Sequence, residues 1–306
     1  MTMRLAVIGT AGLMLSGTVF GGMPSAFAHW GLDEIGGSLA FEDSSGYYGT
    51  YVGGPTLGLP GSLDPCNNFA VGFDGVNDRV LVSGQSTAMN MGGDSFTIVV
   101  RFRKTTDSSD WMKLVNKGLT FSGTPANAGY GLQIRDEIIE FNVGDGSTVG
   151  RATAAEPGGI GWHFVAGVLD RTAAEIRLYL DPDSTSPTAS GAISGLGSLD
   201  TNIEFAIGAL DRSPVSNASE HFLGWIDDVA VYRQALTGKQ VLALAQGAPC
   251  LADLAAPFGL LDLADVTAFV GAFLSGQSEA DLAAPCGVFD LGDVGVFVST
   301  FIGGCE

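Results

Sequence analysis

Six aspartates that recur in two copies of one short string are the residues of this chain best suited to hold a metal ion. The string ADLAAPFGLLDLADV returns 28 residues later as ADLAAPCGVFDLGDV. Its aspartates are Asp253, Asp262 and Asp265 in the first copy and Asp281, Asp290 and Asp293 in the second. Carboxylates spaced along a loop in this way indicate a candidate calcium site, with calcium as a structural cofactor.

The calcium pattern is only partly met. A calcium loop of this kind needs oxygen ligands at positions 1, 3, 5, 9 and 12 and glycine at position 6. Counted back from Asp265 as position 12, Gly259 falls correctly at position 6, but Phe258 stands at position 5. The second copy departs in the same way, with Cys286 in the place of Phe258. We therefore expect these loops to bind calcium weakly or not at all.

Helix capping offers the same aspartates a second role. Asp262 and Asp290 each stand directly before a stretch of helical periodicity, where an N-cap side chain accepts a backbone hydrogen bond. Asp265 and Asp293 follow at the third helical position, where a negative charge suits the helix dipole. Capping is favoured over tight calcium binding as the explanation of these residues.

A second group of acids, in the stretch DEIIE, is the clearest candidate for glycoside hydrolysis. Retaining hydrolysis needs two carboxyl groups about 5–5.5 Å apart. On a strand, Asp136 and Glu140 would share a face about 13 Å apart, and Glu137 would point to the other face. We interpret the stretch as a solvated strand edge and assign no catalytic residue. His163, in GWHFVAG, is interpreted as a packed or edge histidine, and no GxSxG elbow marks a nucleophilic serine.

Short alternating segments, separated by Gly, Asp, Asn, Ser and Pro, fill the chain from His29 to about Gly247. RVLVSG, FTIVVRFRK, YGLQIR, EIRLYLD and WIDDVAVYRQAL each show the alternation of a short strand. Long helical periodicity is missing until the end of the chain. The pattern predicts a mainly β protein, an antiparallel two-sheet sandwich of about twelve to fourteen strands.

The order of these segments carries a family resemblance. HWGLDE, FDGVNDRVLV, SFTIVVRFRK, LVNKG, WHFVAGVLDRTAAEIRLYLD and FLGWIDDVAVYRQALTGKQV resemble, in that order, the laminin-G-like, concanavalin A-like jelly roll of secreted bacterial proteins. The resemblance covers residues 29–247. It implies a lectin-type sandwich with ligand loops at one rim or on the concave face.

The resemblance also implies a structural calcium ion in the sandwich. Its residues would be Asp228, which precedes the final strand, and Asp74 of FDG. Adjacent Asp227 and Asp228 in one strand support this, because one of the two carboxylates must face inward and then needs a cation or several donors. The other interpretation of Asp74 is an Asx turn with Gly75.

Helical periodicity appears after each repeated string, as an apolar set spaced i, i+3, i+4 and i+7. The set is Val266, Phe269, Val270 and Phe273 in the first copy and Val294, Phe297, Val298 and Phe301 in the second. Helices this short cannot bury such a face alone, so they must pack on each other or on a partner. The segment from Cys250 to Cys305 resembles the GC-ending, dockerin-like domain of planctomycete-type secreted proteins. This resemblance implies docking onto a cohesin-like receptor or cell-surface scaffold, with these residues as the partner-binding set.

The N-terminus and the cysteines indicate export. Residues 1–28 combine a cationic start, an apolar run and the small-residue site AFA, which predicts a cleaved signal peptide; the alternative is an uncleaved anchor. Four cysteines then allow three full pairings. Cys250 and Cys305 bracket the repeats, and we predict a disulfide between them, a loop closure worth roughly 4 kcal/mol. Cys66 and Cys286 would form an interdomain bridge or stay free.

The net charge and the order of the predicted domains determine the predicted function. The net charge of −19 argues against nucleic-acid binding, which needs basic patches, and no second apolar run is long enough to span a membrane. The predicted domains are 1–28 (signal), 29–247 (jelly roll) and 248–306 (a small all-α, dockerin-like pair of loop–helix repeats). We expect a secreted, non-catalytic protein that recognises a glycan or glycoprotein. The alternatives are a glycoside hydrolase or polysaccharide lyase on the same sandwich, and a structural adhesion or envelope component.

Overall fold

The computed structural model describes most of the chain from residue 24 onward. The described residues are 24–42, 46–63, 68–83, 87–106, 111–118, 128–212, 216–247, 252, 254–255, 261–277, 280–283 and 287–303. Asp253 and all four cysteines, and with them the predicted Cys250–Cys305 disulfide, lie outside this set. No helix within the described part is long and apolar enough to cross a membrane.

The described residues form eighteen strands and three helices. In chain order these are β1 (Ala28–Trp30), β2 (Leu39–Ala40), β3 (Gly49–Val52), β4 (Thr56–Pro60), β5 (Phe69–Asp74), β6 (Arg79–Val82), β7 (Phe96–Lys104), β8 (Met112–Lys117), β9 (Ala128–Arg135), β10 (Ile138–Asp145), β11 (Val149–Ala155), β12 (Trp162–Asp170), β13 (Glu175–Leu180), β14 (Ala189–Ala192), β15 (Phe205–Ile207), β16 (Leu210–Arg212), β17 (Ser216–Ser219), β18 (Leu223–Tyr232), α1 (Gly238–Ala245), α2 (Leu263–Ser275) and α3 (Leu291–Gly303).

Sixteen of these strands form two antiparallel sheets of eight strands each. The first sheet has the order β14–β13–β12–β7–β18–β5–β4, and β1 also pairs with β18. The second sheet has the order β11–β10–β9–β8–β15–β6–β3–β2, and β16 and β17 form a separate ribbon. The predicted two-sheet sandwich is confirmed. The strand number exceeds the predicted twelve to fourteen because pieces as short as β2 and β14 hold too few residues to show alternation.

The two sheets pack face to face around one apolar core. Inward side chains such as Ile98 of the first sheet meet inward side chains such as Phe141 and Phe205 of the second. Trp30 of β1 stacks on Phe205 with ring centroids 5.3 Å apart. Gly167 of β12 faces the Phe141 ring so closely that a Cβ atom would overlap it. The glycine therefore makes room for the Phe141 ring of β10 beneath β12.

The outer face of the first sheet is partly covered by α1, which sequence patterning did not predict. Its N-terminus has a capping box, in which Thr237 and Gln240 exchange side-chain to backbone hydrogen bonds. Val241 packs with Phe164 and Tyr179 of the outer face in a second apolar cluster. An eight-residue helix spans too few turns to show clear periodicity beside the strands that precede it.

The two helices α2 and α3 form a small apolar core of their own. Phe269 and Phe297 are buried and stack in parallel, with centroids 4.1 Å apart and planes 11° apart. Phe273 and Phe301 are partly buried against this stack. The predicted partner-binding aromatics thus pack on each other and on apolar loop residues such as Leu282 and Phe289, because a short helix cannot bury an aromatic face alone.

The predicted boundary between signal peptide and jelly roll falls inside a strand. Ala28 begins β1 and pairs with Val231 of β18, and the Phe27 N–H donates to the Val231 carbonyl at 2.7 Å. Arg233 also lies over the Phe27 ring, 4.2 Å from its centroid. Cleavage after Ala28 stays a prediction, as do the domain limits.

Candidate ligand-binding site

A cavity of about 410 Å³ opens at one end of the first sheet. It lies where β12 begins and β13 ends, beside the last turn of α1 and the connection that follows β4. Its walls combine apolar and polar side chains, as ligand pockets do. The lining residues are Ser62, Leu63, Arg101, Trp162, His163, Phe164, Asp181, Pro182, Ala245 and Gln246.

A row of three large side chains runs from this cavity across the outer face of the sheet. Trp162 of β12, Arg103 of β7 and Trp225 of β18 occupy directly paired cross-strand positions. The indoles meet edge to face, with centroids 6.3 Å apart and planes at 62°. The Arg103 guanidinium lies 4.7 Å from the Trp225 centroid, and its Nε donates to the Ile160 carbonyl at 2.7 Å. We call these three side chains the tryptophan row.

A smaller cavity of about 230 Å³ lies at the other end of the tryptophan row. Trp225 forms one wall, and Asp74 and Asp78 stand among its other residues. Gly72, paired with Trp225, lines this cavity without a side chain that would cover the indole. The two cavities and the row between them thus form one extended surface with aromatic and polar groups.

The polar wall of the large cavity is a hydrogen-bonded histidine–aspartate pair. His163 Nδ1 lies 2.7 Å from Asp181 Oδ2, and its ring packs against Phe102 at 5.6 Å. His163 Nε2 is buried and has no hydrogen-bond partner among the described residues. His163 is therefore packed, as predicted, with its ring against Phe102 of the core between the sheets.

Two buried charged residues, Arg101 and Asp227, fix the segments around the large cavity by hydrogen bonds to backbone groups. Arg101 Nη2 donates to the carbonyls of Leu244 (2.6 Å) and Ala245 (3.1 Å), which ties the last turn of α1 to β7. Asp227 Oδ2 accepts from the Ser62 N–H at 2.8 Å. Burial, with the neighbouring Asp228 charge, raises the pKa of Asp227 to about 7.

The two acids predicted to hold calcium in the sandwich are not brought together. Asp74 pairs with Leu223, and Asp228 stands five residues further along β18, about 16 Å at ~3.3 Å per residue. Asp74 Oδ1 accepts from the N–H groups of Val76 (2.8 Å) and Asn77 (3.2 Å), which is the alternative Asx turn. Across the described ranges, no group of three or more His, Cys, Asp and Glu side chains is suited to hold a metal ion. Calcium stays a prediction.

Asp228 itself occupies a bulge in β18. Its φ of 46° coincides with the register shift between β18 and β7. His29 Nε2 lies 3.2 Å from Asp228 Oδ1, and Arg101 Nε lies 3.8 Å from Oδ2. The carboxylate therefore lies between the His29 imidazole of β1 and the Arg101 guanidinium of β7.

The acids of DEIIE do not form a strand edge, and that prediction is wrong. Asp136 and Glu137 form the turn between β9 and β10, with φ values of 49° and 64°. Glu140 is fully buried and accepts hydrogen bonds from Gln133 (2.8 Å) and Asn142 (2.9 Å). A buried carboxylate with polar neighbours from β9 and β10 is a structural network rather than a solvated edge.

In the tail, aspartates bind backbone N–H groups. Asp262 is the N-cap of α2 and forms a capping box with Asp265. Asp265 also accepts from the Ala255 N–H at 2.8 Å. Backbone hydrogen bonds, first that from Asp262, lower the pKa of Asp265. The capping interpretation therefore describes the first repeat.

The second repeat has the same arrangement. Asp290 Oδ1 accepts from the Gly292 N–H at 2.6 Å, and Asp293 Oδ1 accepts from the Leu282 and Ala283 N–H groups, both at 2.8 Å. Burial acts to raise the pKa of Asp293, but these backbone hydrogen bonds and the one from Asp290 lower it overall. Asp281 Oδ2 accepts from the Gly287 N–H at 2.6 Å.

The outward faces of α2 and α3 carry matching apolar side chains. Leu263 (76% exposed) and Leu274 (80%) recur 28 residues later as Leu291 (84%) and Ile302 (79%). Val270 and Val298 lie between these residues and are also exposed, so they are the members of the predicted partner-binding set that reach the surface. Val266 and Val294 of the same set are partly buried in the helical core. We call the two sets, Leu263–Val270–Leu274 and Leu291–Val298–Ile302, the apolar stripes.

Sequence reasoning missed the tryptophan row and Asp181. Two GW dipeptides, at Trp162 and Trp225, each stand at or near the start of a strand and were the available signal. Their meeting with Arg103 depends on the pairing of β12 and β18 with β7, which no single strand reveals.

A scan against protein-family models matches residues 74–242 to Laminin_G_3, described as the concanavalin A-like lectin/glucanases superfamily. A search of curated proteins finds no match.

Among solved structures, the chain is similar to the binding domain of botulinum neurotoxin serotype G, at 15% identity and a TM-score of 0.52, over 76% of this chain and 54% of that one. It is also similar to the receptor binding domain of a botulinum neurotoxin C/D mosaic serotype, at 13% identity and a TM-score of 0.52, over 75% and 52%. The chain thus spans about half the length of these structures. At these identities the likeness concerns the fold.

Proposed function

The chain belongs to the concanavalin A-like lectin/glucanases superfamily, whose family model matches more than half of it, and on that premise we propose that its sandwich binds a glycan or glycoprotein without cleaving it. We propose further that the protein is exported and held on a cohesin-like receptor or cell-surface scaffold by its helical tail. The similar solved structures are themselves binding domains, which supports the first part.

One observation carries the proposal of glycan binding. The tryptophan row joins two cavities, and the larger one has the charged residues Arg101 and Asp181 beside Trp162 among its lining residues. A sugar ring has apolar C–H groups on its faces and hydroxyl groups on its rim. Indole rings pack against the C–H faces of the sugar, and polar side chains that converge on one point form hydrogen bonds with its hydroxyl groups. The extended surface matches both halves of that chemistry.

Binding to a glycan panel tests this proposal. We expect the full chain to bind at least one polysaccharide or glycoprotein glycan, and Trp225→Ala or Trp162→Ala to weaken binding at least tenfold. Trp111→Ala is the matched control, because Trp111 is 41% exposed but stacks on Arg135 of the second sheet. Loss in Trp111→Ala with none in the other two would contradict the proposed surface. Release of reducing ends from the bound glycan would contradict the absence of catalysis.

A glycoside hydrolase or polysaccharide lyase is the second candidate, and one observation favours it. Asp74 and Asp78 line the smaller cavity beside Trp225. A hydrogen bond from the Val76 N–H lowers the pKa of Asp74, whereas burial raises the pKa of Asp78. Two carboxyl groups with pKa values moved apart are typical of a base and acid pair. If the protein turns over a glycan and Asp78→Asn abolishes turnover while binding persists, this candidate replaces the first.

The apolar stripes support the proposal of docking. At 3.6 residues per turn, Leu263, Val270 and Leu274 fall within about 40° of one another on α2. Large exposed apolar side chains in a contiguous set are typical of protein interaction surfaces. No Lys or Arg occurs after Lys239, so a receptor groove with basic residues at its rim would complement the tail in charge.

Cell-surface retention tests docking. We expect the full chain to stay with the cell envelope, and the double variant Leu263→Glu/Leu291→Glu to be released into the medium. Ile35→Glu is the control, because Ile35 is 78% exposed on the sandwich. Equal retention of all three proteins would refute docking through the stripes. It would favour the third candidate, an adhesion or envelope component held by other contacts.

A further inference from the structure

One line of directly paired residues crosses five neighbouring strands on the outer face of the first sheet. Trp162 of β12 pairs with Arg103 of β7, and Arg103 pairs with Trp225 of β18. Trp225 pairs in turn with Gly72 of β5, and Gly72 pairs with Thr56 of β4. Side chains at directly paired positions point to the same face of a sheet. The line that begins with the tryptophan row therefore continues to β4, the last strand on that side of the sheet.

The length of this line limits the size of the ligand that it can hold. Neighbouring strands lie about 4.8 Å apart, so the four steps from β12 to β4 span about 19 Å. An extended sugar chain advances by about one strand spacing per ring, which gives room for about four sugars. The larger cavity lies at the β12 end of the line, and the smaller cavity lies where the line crosses β5 and β4. A single sugar would occupy only one of the two cavities.

A ligand on this face has no comparable room along the strands. The next paired positions on the side of α1 are Phe164, Arg101 and Asp227, and all three are buried. The hydrogen bonds from Arg101 to the carbonyls of Leu244 and Ala245 hold the last turn of α1 beside them. The three residues of the tryptophan row are half-buried instead, so part of each reaches the surface. An elongated ligand therefore has to lie across the strands.

Gly72 leaves space in the smaller cavity. A Cβ atom at this position would lie 2.7 Å from Leu59 Cδ1 and 3.5 Å from both Thr56 Cβ and Trp225 Cδ1. These three side chains line the same cavity as Gly72. A larger side chain at position 72 would stand among them and fill the space that they surround.

We infer that the surface binds an extended, linear glycan chain of about four consecutive sugars across the strands, and that Gly72 admits the sugars at the β4 end. The inference rests on the proposed glycan binding and deepens it by giving the class of glycan. The first sugars of the chain occupy the larger cavity beside Trp162. The chain then passes Trp225 and ends in the smaller cavity. A glycan recognised through one terminal sugar would not need the second cavity.

The dependence of affinity on chain length tests the inference. The probes are linear cello-, laminari-, manno- and xylo-oligosaccharides of two to six sugars, titrated calorimetrically into the full chain. In at least one series, we expect affinity to rise about tenfold or more from two sugars to four, a gain equivalent to one or two hydrogen bonds. It should stay constant from four sugars to six. Equal affinity for two and four sugars in every series that binds would overturn the inference.

Gly72→Val tests the role of the smaller cavity. This variant should bind the disaccharide as the wild type does and should bind the tetrasaccharide no more tightly than the disaccharide. Because Leu59 must move to admit the new side chain, the double variant Gly72→Val/Leu59→Ala provides the same obstruction with more space for folding. Leu59→Ala alone is the matched control and should keep the gain with chain length. If either valine variant melts as the wild type does and keeps that gain, Gly72 does not have this role.

The two proposals fail in different ways. If no oligosaccharide or panel member binds, or if Trp162→Ala and Trp225→Ala leave binding unchanged, the proposed glycan surface fails, and the extended chain fails with it. If a glycan binds through both tryptophans but a monosaccharide competes as well as the whole glycan, glycan binding stands and only the extended chain is wrong.

Discussion

Replacing Asp265 by alanine separates the two explanations of the repeated aspartates. Asp265 is fully buried and accepts from the Ala255 N–H at 2.8 Å and from the Asp262 N–H at 2.9 Å. Hydrogen bonds to a charged acceptor are worth about 1.5–3 kcal/mol each, so Asp265→Ala should cost about 3–6 kcal/mol. Folded chains hold about 0.05–0.15 kcal/mol per residue, which is roughly 3–8 kcal/mol for a helical pair of this size. The helical tail should therefore largely unfold.

Asp262→Ala is the matched control within the same loop. Asp262 is the N-cap of α2, and its Oδ1 accepts from the Ala264 N–H at 2.6 Å. Loss of an N-cap side chain lowers the free energy of unfolding by about 1 kcal/mol. If the aspartates were calcium ligands, both positions would belong to one coordination shell, and either change would weaken the site. Hydrogen bonding predicts unequal losses, and calcium binding predicts comparable losses together with sensitivity to chelators.

Amide hydrogen exchange of the full chain measures this difference. In Asp265→Ala, we expect the amides of α2 to lose protection while those of β7 and β12 keep it. In Asp262→Ala, protection of α2 should fall only slightly. The reasoning is refuted if α2 stays protected in Asp265→Ala, or if EDTA alone removes its protection in the wild type.

Three further outcomes are expected. Burial raises the pKa of Asp33 to about 6 and that of Asp227 to about 7, so the folded chain binds protons there more tightly than the unfolded chain. The melting temperature should therefore fall as pH rises from about 4 to 7, and it should fall less in Asp227→Asn. Glu140→Ala should lower the free energy of unfolding in urea by about 3–5 kcal/mol, because it leaves buried donors without their acceptor, and Glu140→Gln should lower it less. Gly167→Val should prevent folding to a soluble protein, because its side chain would occupy the space of the Phe141 ring; a soluble variant with normal near-UV circular dichroism would contradict this.

Strands with long apolar runs could be predicted from the sequence. FTIVVRFRK coincides with β7 and WHFVAGVLD with β12, since both contain a long apolar run bounded by polar turns. In each of these strands, the inner face packs on the second sheet and the outer face packs in the apolar cluster with α1. Because both faces are covered, apolar residues follow one another almost without interruption in the sequence. The helices α2 and α3 were predictable for a similar reason, because their aromatic spacing persists over 13 residues.

The DEIIE stretch shows why turn positions were harder to predict. Asp136 and Glu137 both have positive φ, as the central residues of a two-residue hairpin require. Glycine and asparagine usually mark such turns, and neither is present here. Without that mark, all five residues of DEIIE were interpreted as lying on one strand, which placed Glu140 at a solvated edge instead of in a buried network.

The candidate site could not be predicted because it depends on register. The site combines residues of three strands, Trp162, Arg103 and Trp225. Their contact requires that Trp162 of β12 and Trp225 of β18 both pair with Arg103 of β7. A shift of one residue in either pairing would turn an indole toward the core. The left-handed conformation of Asp181 is likewise invisible in the sequence, since the following Pro182 would predict an extended residue instead.

An excess of acids over bases explains why aspartates recur as backbone anchors throughout this chain. With 33 Asp and Glu against 14 Lys and Arg, most carboxylates cannot have a cationic partner of their own. Backbone N–H groups in loops are the other donors available, and Asp145 uses three of them, from Ser147, Thr148 and Gly197. Asp265 applies the same chemistry in the tail. A carboxylate that satisfies loop amides in this way stabilises the loop without a metal ion, so a calcium-loop pattern can lose its ligands while its last aspartate keeps a structural purpose.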